Sequence, residues 1–169
     1  MNKSLSAASS VFFSLALALP VLAAEEAAPA GASPASAYVK PDIKHDPYGE
    51  LHFVVALTSD DKSIQAMKLR NIANSLKAAD EWQGKFTVKV VLYAKGISLL
   101  RDPDDATKKR LDGLRARGVQ IEVCGNTLAE QGIDFHTLYN VTDADIVPSG
   151  FAEVAYLQLK KQYAVDPSN

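Results

Sequence analysis

Cys124 is the only cysteine in the 169 residues, so any thiol chemistry in this chain runs through one sulfur. Its setting is the stretch Val119–Ile133. Val119, Ile121 and Val123 alternate with Gln120 and Glu122, which argues a strand with unequal faces, and Cys124 comes where the alternation stops. Gly125 and Asn126 break the pattern. Thr127, with Glu130 three residues on, has the capping-box spacing that opens a helix. The thiol is therefore expected at the carboxyl end of a strand, just before a helix N-cap at Thr127. Unpaired N–H groups and the positive end of a helix dipole favour thiolate over thiol. In open α/β sheets the crevice outside the strand ends is where ligands bind. The backbone N–H groups of Gly125 and Asn126 are the expected donors beside Thr127. Lys95 and Gly96, just past the second strand, offer a cation and a backbone able to approach a ligand closely. The competing reading is that Cys124 is a small buried hydrophobe.

Other pairings carry less. His136 lies twelve residues beyond Cys124, and a Cys–His pair activates a thiol only where the fold brings the two together. Cys124 and His136 with Asp143 or Asp145 match no zinc spacing, so no metal or cofactor is expected. Asn71 and Asn74 stand three apart and so are neighbours on one helix surface. They are either solvent-exposed or amides turned into the site or a subunit contact.

The elements that must position these residues read as follows. Leu51–Leu57 is a nearly continuous apolar run, as expected of a central strand covered on both faces. After the polar turn Thr58–Asp61, Ser63–Ala79 has helical spacing, with Leu69, Ile72, Ala73 and Leu76 on one stripe and Lys62, Lys68, Arg70 and Lys77 facing away. Phe86–Tyr93 is a second strand, followed by a short apolar segment at Ile97–Leu100. A helix over Ala106–Arg117 has Asp102, Asp104 and Asp105 at its start and Arg115 and Arg117 near its end, as the macrodipole prefers, and Gly118 is placed to terminate it. Beyond the cysteine, Gly132 closes a turn and Ile133–Tyr139 is expected to form a brief helix. Asp145–Pro148 reads as a last strand, Ser149 as the N-cap of a helix over Gly150–Gln162, and Tyr163–Pro167 as a tail. That helix carries Phe151, Val154, Ala155, Tyr156, Leu157 and Leu159, more than one apolar stripe, which predicts contact with the sheet and with a partner subunit. The alternation of strand and helix predicts a mainly parallel α/β sheet with helices on both faces.

The ends and the charge set the surroundings. Lys3, the apolar run Val11–Leu19 and the small residues around Ala23 have the form of a cleavable secretory signal over residues 1–23. Residues 24–47, rich in Ala, Pro and Ser, read as a flexible tether, and 48–169 as one α/β domain. The expected location is the periplasm. No later apolar run approaches the ~20 residues a membrane span needs. Removing the signal leaves 17 basic against 20 acidic side chains. That balance provides no footprint for nucleic acid and no pull toward an anionic membrane. A lone cysteine in an exported protein cannot form an internal disulfide, which points to a reactive or intermolecular role.

Taken together, Asn71–Asn74, VVLYAKGISLL at Val90–Leu100, Ile121–Cys124, Gly132-Ile133 and Val147–Glu153 resemble the DsrE/DsrF-like sulfur-relay family, including its YchN-like members. The resemblance spans Leu51–Val165. It implies a three-layer α/β/α fold that assembles into trimers or hexamers. In the sulfur-transferring members a cysteine after the third strand carries sulfane sulfur as a persulfide, and Cys124 occupies the matching position. The chain departs from the family in having Tyr93-Ala94 where relatives place a His-Gly pair, and in its exported form. The resemblance implies a sulfur carrier or sulfurtransferase whose partners are a sulfur donor and an acceptor, a small thiol or a protein. The alternative is a non-catalytic oligomeric module of the same fold that binds a ligand or a protein. A redox- or metal-sensing thiol is less supported, because there is no CxxC pair and no ligand cluster.

Overall fold

Five strands form one parallel sheet: β1 (Gly49–Leu57), β2 (Gly84–Leu92), β3 (Gln120–Cys124), β4 (Ile146–Val147) and β5 (Ala164–Val165). Their spatial order is β4-β3-β2-β1-β5. The computed structural model describes Ile43 and residues 46–166. The expected signal segment and nearly all of the tether therefore lie outside the described residues. The chain divides into two units between Ile43 and Lys44, and the sheet belongs to the second.

Between the strands run α1 (Lys62–Glu81), α2 (Asp105–Ala116), α3 (Gly125–Gln131) and α4 (Gly150–Lys161), with a 3-10 segment at Ala94–Leu99. The starts are set by side-chain caps. Asp61 accepts from the N–H groups of Ser63 and Ile64, Asp104 from Thr107 and Ser149 from Ala152, each satisfying donors the helix leaves unpaired. Gly118, at φ 85°, turns the chain after α2 as its position in the sequence implies.

Topology follows from the handedness of parallel crossovers. From β1 to β4 the chain steps in one direction across the sheet, so right-handed connections place α1 and α2 on one face. The return from β4 to β5 runs the other way, and the same rule carries α4 to the opposite face. Side chains sort accordingly. Val55, Leu57, Val88, Val90, Leu92, Ile121 and Val123 pack against Leu69, Ile72 and Leu76 of α1, Leu111 and Leu114 of α2 and Leu128 of α3. On the other face, Val54 and Val91 meet Leu157 of α4 and Tyr163 in a much smaller cluster.

Three expectations are corrected. Tyr163–Asp166 is not a tail; the expected end at Pro167 lies outside the described residues. Ala164 and Val165 pair with Phe53 and Val54, and Asp166 N–H donates to the Val54 carbonyl. A two-residue strand is too short for periodicity to reveal. Lys68 does not face away from the core: it is 3% exposed, with its ammonium 2.7 Å from the Asp166 carboxylate that β5 delivers. Ile133–Tyr139 forms only a single 3-10 turn at Phe135–Thr137.

Candidate functional site

β3 and β4 are neighbours, with Cys124 in register with Val147. The helix after β3 joins the α1/α2 core through Leu128, whereas the helix after β4 covers the opposite face. Adjacent strands whose connections leave toward opposite faces open a crevice at their carboxyl ends, which is the topological switch point of such a sheet. Cys124 sits in it. Val123 points into the larger core, so its successor points to the α4 side.

The sulfur is itself a cap. Cys124, not Thr127, occupies the N-cap position of α3, and its Sγ accepts from the Thr127 N–H at 3.4 Å. Gly125 and Asn126 do not interrupt the chain before a helix; they are the first two residues of that helix. Thr127 lies in its first turn, where its hydroxyl accepts from the Ala94 N–H at 3.1 Å and is left free to donate to the sulfur. Ala94, held at φ 49°, is fixed from its other side by Gln131, whose side-chain amide donates to the Ala94 carbonyl at 3.0 Å. The Asn126 N–H donates to the Pro148 carbonyl at 3.2 Å, which ties the β3–α3 turn to the β4–α4 turn.

A further donor comes from across the crevice. The backbone N–H of Gly150, at the start of α4, also acts to lower the thiol's pKa. Gly150 fits only because it lacks a side chain. A Cβ there would stand 2.9 Å from Tyr93 Cβ and 3.1 Å from Cys124 Cβ. Burial is the largest single influence on the thiol and pushes its pKa up. Against it act the Thr127 hydroxyl and the N–H groups of Gly150, Thr127 and Asn126, and together they hold the thiol below its ordinary value. Cys124 is 4% exposed. What surrounds the sulfur is a ring of amides and a hydroxyl rather than hydrocarbon alone.

The other sequence-derived candidates fall elsewhere. Gly125 is not among the donors to the sulfur and lies beside the Val147 carbonyl. Lys95 is exposed and pairs with Asp60 at 3.6 Å. Gly96 is buried against the end of β1, where a Cβ would come within 1.8 Å of the Leu57 carbonyl oxygen, so its role there is close backbone packing. Asn71 and Asn74 are exposed on α1, which covers the face opposite Cys124; Asn71 borders a separate cavity of about 260 Å³ between α1, β1 and β5. His136 is exposed, with its Nδ1 2.7 Å from Asp134, and is not among the groups that act on the sulfur. Asp145 caps Thr142, and no group of three metal-ligating side chains occurs among the described residues.

Gly150 is the residue that the sequence does not reveal. Ser149 was legible as a cap, but nothing local says that the residue after it faces a sulfur 26 positions earlier.

The model of the DsrE/DsrF-like family matches residues 52–165. No curated protein matches the chain. Two solved structures are similar in fold. The protein of unknown function MTH1491 from Methanobacterium thermoautotrophicum is 24% identical, with a TM-score of 0.57 over 70% of this chain and 97% of its own. The conserved protein of unknown function BT1422 from Bacteroides thetaiotaomicron is 17% identical, with a TM-score of 0.50 over 68% of this chain and 91% of its own.

Proposed function

The chain belongs to the DsrE/DsrF-like family, and on that premise we propose that Cys124 accepts sulfane sulfur as a persulfide and passes it to an acceptor thiol. The reading is supported by one observation above the rest: the sulfur lies at the switch point of the sheet, accepts from the Thr127 N–H, and is held below its ordinary pKa by the polar groups beside it. In the first step the Cys124 thiolate attacks the terminal sulfur of a persulfide or polysulfide donor, R–S–S⁻. The donor's S–S bond breaks, R–S⁻ leaves, and Cys124 carries –S–S⁻. In the second step an acceptor thiolate attacks that outer sulfur and Cys124 leaves as thiolate. Neither step changes the overall redox state, and the donors around the sulfur favour its anionic form throughout. No second cysteine is present to resolve the persulfide as an internal disulfide.

The proposal includes export of the mature chain and its assembly into a homotrimer or homohexamer. Assembly is supported by the outer face of α4, where Phe151 and Leu159 are 74% and 76% exposed. No helix among the described residues is long and apolar enough to cross a membrane.

The test is to treat the mature protein with inorganic polysulfide and weigh it intact. We expect an increment of one sulfur atom on the wild type and none on Cys124→Ser. An unmodified wild type, or an equal adduct on the variant, would remove the carrier role.

A second reading draws on the burial of Cys124: a non-catalytic oligomeric module that holds a ligand or protein partner in the same crevice. Thiol-probe kinetics separate the two. A carrier reacts in the native state, whereas the binding module reacts only after denaturation.

A further inference from the structure

Ala94 holds a conformation that its side chain disfavours. Its φ is 49°, in the left-handed region that glycine enters freely and a Cβ makes costly. The turn around it is tight: the Gly96 N–H donates to the Tyr93 carbonyl at 3.0 Å, and Gly96 itself is pressed against the Leu57 carbonyl at the end of β1. A residue held against its preference needs partners that fix it there. Ala94 has one at each end. Its N–H donates to Thr127 Oγ1 at 3.1 Å, and its carbonyl accepts from Gln131 Nε2 at 3.0 Å.

Both partners belong to α3. Thr127 and Gln131 stand four apart in sequence, so they lie one above the other on the same side of the helix. Thr127 is 5% exposed, whereas Gln131 is exposed and reaches Ala94 from outside. The arrangement matters because a hydroxyl has one proton to give. A threonine in a helix commonly gives it to a carbonyl of the preceding turn. In this chain Oγ1 is oriented by the N–H it accepts from Ala94, and the N–H of Thr127 already reaches Cys124 Sγ at 3.4 Å. Burial raises the thiol's pKa most, and the Thr127 hydroxyl stands first among the groups that bring it below its ordinary value.

We propose that Gln131 is a positioning residue for Cys124: its amide holds the Ala94 peptide in the left-handed turn, and that peptide in turn keeps the Thr127 hydroxyl aimed at the sulfur. Without the amide, Ala94 relaxes toward a negative φ, its N–H withdraws from Oγ1, and the hydroxyl turns to the helix backbone. The inference rests on the reading of Cys124 as the working thiol and adds to it a residue that touches neither sulfur nor substrate. The titratable groups on the surrounding elements are Tyr93 after β2, the paired Lys89 and Glu122, Lys95 with Asp60, Glu130 of α3, Asp145 before β4 and Glu153 of α4. A neutral substitution at Gln131 leaves all of their charges unchanged.

The experiment titrates the ultraviolet absorbance of the thiolate in the full chain, with Cys124→Ser as the blank, so no probe has to enter the crevice. Gln131→Met keeps the length and helix preference of the side chain and removes the amide. We expect its titration midpoint about half a pH unit or more above the wild type, roughly threefold less thiolate on the acid side, the value of one hydrogen bond. Adding Ala94→Gly to Gln131→Met should return the midpoint most of the way, because glycine holds the left-handed turn unaided. In a Thr127→Val background Gln131→Met should move the midpoint no further, since the hydroxyl it orients is gone. A midpoint unmoved by Gln131→Met, even with a lower denaturation temperature, would assign the glutamine to the fold alone and overturn the proposal. So would an equal shift in the valine background, or a glycine that restores nothing. Polysulfide loading of Cys124 reads the carrier role separately, so either idea can fail without the other.

Discussion

The two faces of the sheet are built to different rules. On the α1/α2 side a continuous apolar core runs from Val55 to Leu138, with Leu57, Leu92, Leu100 and Leu111 at most 1% exposed. On the α4 side a single 12-residue helix covers the sheet, the apolar cluster has four buried members, and the strands there carry Lys89, Glu122 and Cys124. The first face supplies cohesion, each fully buried leucine contributing roughly 1.5–3 kcal/mol. The second face holds ionisable groups in partly dry surroundings, where small changes in contact alter their protonation. A polar site is affordable on that side because stability is secured on the other.

Lys89 and Glu122 illustrate the second rule. Their charged atoms are 2.5 Å apart with side chains 19% and 11% exposed, and the second oxygen of Glu122 has no partner. Burial is the largest influence on Lys89 and lowers its pKa. The bond and charge of Glu122, joined by Tyr163 and Glu153, outweigh it and hold the ammonium above its usual range. The lysine therefore stays charged under the sheet, and the pair stands or falls together.

The comparison can be broken most severely from the apolar side. Leu92→Ala opens a cavity where side chains interdigitate and should cost about 2–5 kcal/mol, read as a lower denaturation midpoint, with Cys124 reactivity unchanged in the molecules that remain folded. A comparable loss is expected from Glu122→Leu, about 3 kcal/mol, because an ammonium is left buried without its partner. Lys89→Met in the same chain should restore most of that loss. Failure of the double variant to recover would show that the pair contributes more than mutual neutralisation.

Thr127→Val is the mildest change and probes the site directly. It deletes a donor to the sulfur and orphans the Ala94 N–H, so stability should fall by about 1 kcal/mol. The thiol pKa should rise. The sign follows from linkage. The folded thiol titrates below the unfolded one, so thiolate contributes stability that is complete above the unfolded thiol pKa and is lost as pH falls through the lowered folded value. Alkylation rate against pH should therefore shift upward in Thr127→Val and stay in place in Thr127→Ser, which keeps the hydroxyl. An unmoved profile in the valine variant would remove Thr127 from the site.

What the sequence by itself determined about this protein is local. Alternation in Gln120–Cys124 marked a strand and put the thiol at its end. Ser149 stood where a cap belongs, Asp102, Asp104 and Asp105 stood at a helix start, and Gly118 stood where a helix had to end. Each of these depends on neighbours within a few residues, because strand pleat, helix period and cap geometry repeat over that range. The tertiary structure alone decided that Cys124 is its own helix cap, that Gly150 donates from across the crevice, that Lys95 is turned away toward Asp60, and that Asp166 returns to Lys68. Those facts depend on the order in which strands lie side by side and on which face each crossover covers. The cause is physical: hydrogen bonds and burial act through space at about 3 Å, and the handed path of the chain, rather than residue spacing, brings their partners together.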